Sequence, residues 1–292
     1  MLKQRLVSGV LLGLAAVLSA TYLPSPAGWL LILALGLLAQ YEFYDMTRAM
    51  GIPAFKILGM CGGALLISAT FWTIGPAPEQ LARGYQAEQI VLAGTLLFLL
   101  IWQAFQKTHH QPVAVVAVTM LGILYGAGLL NYLTRLAFAW HAGTRWDSVQ
   151  RTGQMLIIYL IAVVKSSDIG AYFTGRLIGR HKMIPRLSPN KTWEGLGGGV
   201  VLSLGVSMLF YVLGNGQLGV LSVRWWDAVI MGLLLAASGV VGDLAESMIK
   251  RNASAKDSGR LIPGMGGVLD VLDSLLFGAP VLYAYAVLFL GM

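Results

Sequence analysis

Polar positions along this chain are gathered into short segments that separate long apolar runs. The runs contain few charges and are of bilayer length, since a hydrocarbon core of about 30 Å takes about 20 apolar residues per helix. On that ruler nine spans are expected: Leu6–Leu23, Gly28–Phe43, Ile57–Gly75, Gln89–Phe105, Val113–Trp140, Met155–Gly175, Gly195–Leu213, Trp226–Ile249 and Val268–Leu290. The second is short. The fifth is too long for an upright span, which predicts a kink or a partly interfacial stretch. No soluble domain, low-complexity tract or internal repeat is visible. The basic-then-apolar start could be a secretory signal, but with spans following directly it reads as an uncleaved first anchor.

Composition supports the pattern. The chain has 292 residues, 57% of them hydrophobic and 11% charged, whereas soluble domains sit near about 45–50% and about 25%. The reading is an all-α polytopic membrane protein of about nine transmembrane helices. Residues 1–150 form an N-terminal set of spans, and residues 151–292 carry two charged loops, 176–194 and 250–267. The lone cysteine, Cys61, lies within an apolar run and is expected to be a small buried hydrophobe.

The net charge of +7 invites a nucleic-acid partner, but the cations lie in the short inter-span segments, as in loops beside anionic lipid. With the N-terminus inside, fourteen Lys/Arg fall in inside segments and only four (Arg83, Arg145, Arg151, Arg224) in outside ones; Arg135 and Lys165 lie within spans. The expected topology is N-terminus cytoplasmic and C-terminus outside, in the inner (cytoplasmic) membrane. Both charged loops then face the nucleotide pool. No nucleic-acid partner is expected.

Ionisable groups within spans cost several kcal/mol unless paired or hydrated, so each is a candidate site. The sixth span carries Lys165 and Asp168 one turn apart, either a neutralised pair or part of a site. At the end of the eighth, Asp243, Glu246 or Ser247, and Lys250 recur at helical spacing. The ninth begins with Asp270 and Asp273 on one face. Asp243, Asp270 and Asp273 are expected to converge, and carboxylates held together repel unless a hard cation such as Mg²⁺ sits among them. Complementing the helix dipole would account for one aspartate but not three. The "PGMGG" run before the last helix offers backbone N–H groups suited to phosphate, beside Lys250, Arg251, Lys256 and Arg260. In "SPNKTWEG" a Ser-Pro turn is expected to present Lys191 at a helix start, though the Walker A frame is missing. His181, His109 and His110 read as loop histidines.

The segments "SDIGAYFTGRLIGRHKMIPRLSPNKTWEG" and "GDLAESMIKRNASAKDSGRLIPGMGGVLDVLDS" resemble the phosphatidate cytidylyltransferases, also called CDP-diacylglycerol synthases. The strong likeness covers the C-terminal half. The family signature runs Ser-x-x-Lys-Arg, four residues, Lys-Asp, then Pro-Gly-His-Gly-Gly and Asp-Arg-x-Asp. Ser247, Lys250, Arg251, Lys256, Asp257, Pro263, Gly264, Gly266, Gly267, Asp270 and Asp273 match it. Met265 stands where the family usually has histidine, and Val271 where it has arginine. The resemblance implies transfer of a cytidylyl group from CTP to phosphatidate at a membrane, for phospholipid synthesis. It implies Asp243, Asp270 and Asp273 as Mg²⁺ ligands and catalytic groups, with Asp168 and Lys191 beside them. Ser247, Lys250, Arg251, Lys256, Asp257, Gly266 and Gly267 are implied as substrate contacts. A second, monovalent cation and a homodimer are left open. The two departures support a rival reading, a non-catalytic relative that binds anionic lipid or nucleotide. A transporter is disfavoured because the charges cluster toward one face.

Overall fold

The computed structural model describes residues 25–74, 81–106, 111–138 and 146–291. The expected first span, along with His109 and His110, lies outside the described residues. Eight helical stretches among the described residues are long and apolar enough to cross a membrane. Among the described residues the secondary structure is helical apart from two short hairpins, so the all-α polytopic expectation holds.

The helices are α1 Ser25–Ala49, α2 Lys56–Ile74, α3 Leu81–Ala104, α4 Pro112–Gly122, α5 Leu129–Phe138, α6 Trp146–Ile178, α7 Trp193–Leu213, α8 Trp225–Asn252 and α9 Val268–Phe289. The expected short second span is in fact the 25-residue α1. Hydropathy ended it at Phe43, whereas the helix runs on through Tyr44, Asp45, Met46, Thr47 and Arg48: Tyr44 and Thr47 are buried with partners, and Asp45 and Arg48 are exposed. Tyr44 donates to the Thr119 carbonyl at 2.8 Å, and Gln40 to the Gly59 carbonyl at 3.2 Å. The overlong fifth span is two helices, α4 and α5, joined by a π-helical turn over Ile123–Gly128. Such a turn is a recognised cause of a break in a helix.

The chain forms two compact units. One comprises Met1–Ala139 with Ile249–Leu272, the other Trp140–Met248 with Asp273–Met292. The second charged loop falls within the first of these units.

Within the first unit a buried polar network joins three helices. Arg135 of α5 pairs with Glu88 of α3, which also accepts from Thr70 of α2 at 2.6 Å and from Asn131 at 3.2 Å. The Arg135 guanidinium lies over the Tyr85 and Tyr132 rings at 4.4 and 4.8 Å. Cys61, expected to be buried, is exposed, in company with Ile57, Leu65 and Trp72 on the same helix. Lipid covers such a face as readily as protein does, so an apolar side chain in a span has no drive to turn inward.

In the second unit α6 packs along α7. Ser203 and Ser207 of α7 donate to the carbonyls of Gly232 and Ala228 in α8 at 2.8 and 2.5 Å. Between α6 and α7 the strands β1 (Lys182–Ile184) and β2 (Ser188–Thr192) form an antiparallel hairpin. The turn lies at Pro185-Arg186, closed by the Leu187 N–H on the Ile184 carbonyl at 3.2 Å. The Ser188-Pro189 pair, expected to turn, is in the strand instead. Pro185 takes the second turn position that its fixed φ favours.

Candidate functional site

The sequence-predicted residues fall into two clusters, one in each unit. In the second unit Asp243 and Glu246, three residues apart on α8, share a face with each other. Their carboxylates and that of Asp273 on α9 all lie within 4.8 Å of one another. Gly242 makes this possible, since a Cβ there would collide with the Asp273 carbonyl. Lys191, the fourth residue of β2, puts its ammonium 2.8 Å from Asp243 Oδ2 and 3.4 Å from the Val240 carbonyl. It is held in place because the next residue, Thr192, caps α7 by accepting from the Gly195 N–H at 3.1 Å.

Further groups tie into the cluster. Ser247 donates to Asp243 Oδ1 at 3.3 Å. Asp273 Oδ1 accepts from the Ser274 N–H at 2.5 Å and the Ser274 hydroxyl at 3.0 Å. The same hydroxyl stands 3.4 Å from Asp168 Oδ2, and Asp168 pairs with Lys165 at 3.2 Å. The paired reading of Lys165 and Asp168 therefore holds, and the pair also belongs to the acidic cluster. Four carboxylates (Asp168, Asp243, Glu246, Asp273) face two ammonium groups (Lys165, Lys191), leaving two formal negative charges. An all-oxygen donor set with that residual charge fits a hard divalent cation.

Asp270 has partners of its own. In the first unit its Oδ1 pairs with Lys250 at 2.6 Å. Its Oδ2 accepts from the Ser258 N–H and hydroxyl at 2.8 and 2.9 Å and from the Gly267 N–H at 2.8 Å. As the third residue of α9 it reaches back to the N–H just before the helix, the reciprocal half of a capping box. The third carboxylate beside Asp243 and Asp273 is Glu246.

The glycine run does not present the N–H groups expected of a phosphate cradle. Gly267 N–H is taken by Asp270, and the Met265 and Gly266 N–H groups by the Ile262 carbonyl at 3.1 Å. The first two N–H groups of α9, on Val268 and Leu269, donate to Glu42 of α1 at 2.8 and 2.9 Å. What this loop exposes is side chains: Arg251, Lys256, Asp257 and Arg260. Arg251 also contacts the Ala255 carbonyl at 3.4 Å. His181 is exposed, and its Nδ1 lies 2.5 Å from Glu194, which in turn accepts from the Arg180 and His181 N–H groups.

Glu42 and Glu88 were not among the predicted residues. Glu42 lies inside an expected span, the signal that had drawn attention to Lys165 and Asp168, whereas Glu88 lies just before the expected fourth span.

These clusters lie on a chain whose residues 3–289 match the model of the cytidylyltransferase family. The chain belongs to that family. It is 34% identical over 312 residues to a phosphatidate cytidylyltransferase of Synechocystis sp., covering 98% of this chain and 97% of the relative. It is 31% identical over 288 residues to the phosphatidate cytidylyltransferase of Bacillus subtilis, covering 99% and 98%. With that of Haemophilus influenzae it shares 32% over 292 residues, covering 96% of each. The likeness thus extends through the N-terminal half, where the motifs alone gave no sign of it.

Proposed function

We propose that this membrane protein transfers a cytidylyl group from CTP to phosphatidate, giving CDP-diacylglycerol and pyrophosphate. The observation that carries the proposal is Lys191 bonded to an acidic cluster of Asp243, Glu246 and Asp273, on a chain whose full-length relatives are named for this activity. A phosphatidate phosphate oxygen attacks the α-phosphorus of CTP, and the bond from that phosphorus to the pyrophosphate oxygen breaks. A phosphate monoester is already substantially dianionic near neutral pH. No strong general base is required.

Catalysis then rests on alignment and on neutralising charge. Asp243, Glu246 and Asp273 would hold Mg²⁺, which when bound supplies neutralisation of the phosphate oxygens. Lys191, anchored between Asp243 and the Val240 carbonyl, offers a cation beside those oxygens. Ser247 and Ser274 orient the Asp243 and Asp273 carboxylates through their hydroxyls. Asp168 and Lys165 set the charge of the surroundings. Lys250 holds Asp270, and exposed Arg251 and Lys256 are the phosphate contacts of the loop. The Lys/Arg distribution supports an orientation with both loops in the cytoplasm, where CTP is. The non-catalytic reading is not favoured by the names of the full-length relatives.

The test is incubation of the purified full-length protein in detergent with labelled CTP, phosphatidate and Mg²⁺. CDP-diacylglycerol and pyrophosphate are expected in equal amounts. A folded protein that yields neither across several phosphatidate acyl chains refutes the proposal.

A further inference from the structure

We propose that Glu42 is a positioning residue for the reaction: from α1 it fixes the first turn of α9 and the signature loop, and through them the Lys250–Asp270 pair. The proposal rests on the function given above.

Glu42 is 3% exposed, in the C-terminal half of α1. A carboxylate so placed is costly unless its oxygens are well supplied with donors. It has three, all from one distant part of the chain. The Val268 N–H donates to Oε1 at 2.8 Å, and the Leu269 N–H and Ser258 hydroxyl donate to Oε2 at 2.9 and 2.8 Å. The two backbone donors are the first of α9, which have no carbonyl partner within their own helix. They also stand at the positive end of its dipole. Glu42 thus occupies the place where an anionic ligand would otherwise sit. The loop is shaped to admit it: a Cβ on Gly259 or on Gly267 would collide with the Glu42 carboxylate.

From Glu42 the connection runs on to Asp270. The Ser258 hydroxyl has one proton and lies within reach of both carboxylates, 2.8 Å from Glu42 and 2.9 Å from Asp270. Asp270 accepts in addition from the Ser258 and Gly267 N–H groups, so its orientation depends on the backbone that Glu42 pins at either side. Its other oxygen faces Lys250 at 2.6 Å. Loss of the Glu42 charge would leave the α9 turn and Ser258 less firmly held, and Asp270 and Lys250 less well aligned.

The experiment uses the full-length protein in detergent, comparing wild type, Glu42→Gln, Glu42→Asp and the same-helix control Asp45→Asn. Two readouts are taken. Hydrogen exchange of peptides covering residues 257–270 should quicken at least about tenfold in Glu42→Gln, with α6 and α7 unchanged, since local protection reports local ordering. The turnover number should fall at least about tenfold in Glu42→Gln and be partly restored in Glu42→Asp, which keeps the charge. Asp45→Asn should match wild type. The double variant Glu42→Gln/Ser258→Ala should be within about threefold of the slower single variant, because residues acting through one network are not additive. Should Glu42→Gln fail to insert, Glu42→Asp is measured in its place, and quickened loop exchange with a smaller loss of turnover is expected. Unchanged exchange over 257–270, or full turnover with altered exchange, overturns the proposal. A wild type that forms no CDP-diacylglycerol overturns the proposed function instead, and the exchange readout still decides whether Glu42 orders the loop.

Discussion

Lys191 is the cation most directly exposed to test. Its ammonium lies 2.8 Å from Asp243 Oδ2, with the two side chains 21% and 36% exposed. At an effective dielectric of about 20, opposite unit charges at that distance attract by about 6 kcal/mol. Desolvation and partial exposure of Asp243 reduce the net contribution, to about 1.5–3 kcal/mol, that of a hydrogen bond to a charged group. Replacing Lys191 with methionine keeps most of the length and removes the charge, leaving Lys165 as the ammonium facing the carboxylates. If the lost energy is transition-state stabilisation, kcat/KM should fall by about tenfold to about a hundredfold. Lys191→Arg keeps a cation but not its compact geometry, and should fall between. Steady-state cytidylyl transfer at varied CTP, at low and high salt, measures both variants on protein whose thermal midpoint is recorded in parallel. A Lys191→Met protein with wild-type kcat/KM would refute the reasoning. So would a Lys191→Arg protein as slow as Lys191→Met.

Asp273→Asn should lose at least about a hundredfold of Mg²⁺-dependent transfer while still inserting, because it removes a charge from the proposed metal site; full activity would count against that site. Glu88→Gln, which strands the buried Arg135, should destabilise the protein by about 3–5 kcal/mol, seen as a lower thermal midpoint in detergent. Met265→His combined with Val271→Arg, at two half-buried positions of the signature segment, should leave transfer intact or raise it, since both changes add a donor that can reach phosphate. A marked fall in rate would show that the loop is adapted to methionine and valine.

Much of the architecture was legible because a membrane simplifies the rules. An apolar run of bilayer length has one stable outcome, a helix, since every backbone polar group must be met within the segment. That is why the described spans are found where hydropathy placed them. It also explains where their ends were misjudged. Hydropathy stopped α1 at Phe43, but the buried Tyr44 hydroxyl beyond it is satisfied by the Thr119 carbonyl on another helix. The Ser-Pro motif was read as a turn on local preference, and the neighbouring Pro185 took that role instead.

The candidate site divides along the same line. Asp243 and Asp273 could be named because each lies at a helix end beside basic residues, and Lys191 because a Ser-Pro turn was expected to present it at a helix start. The sequence by itself settled which residues carry the charge and roughly how deep each one sits, since helical rise and apolar length are local quantities. Only the tertiary structure decided who meets whom. It joined Glu246 to Asp243 and Asp273 while turning Asp270 back upon its own helix start. It filled the expected phosphate cradle with Glu42, from 226 residues earlier in the chain than Val268. A carboxylate buried in an apolar helix announces that it must have donors, because burial without them is too costly. The identity of those donors depends on which helix faces pack together, and no local pattern records that.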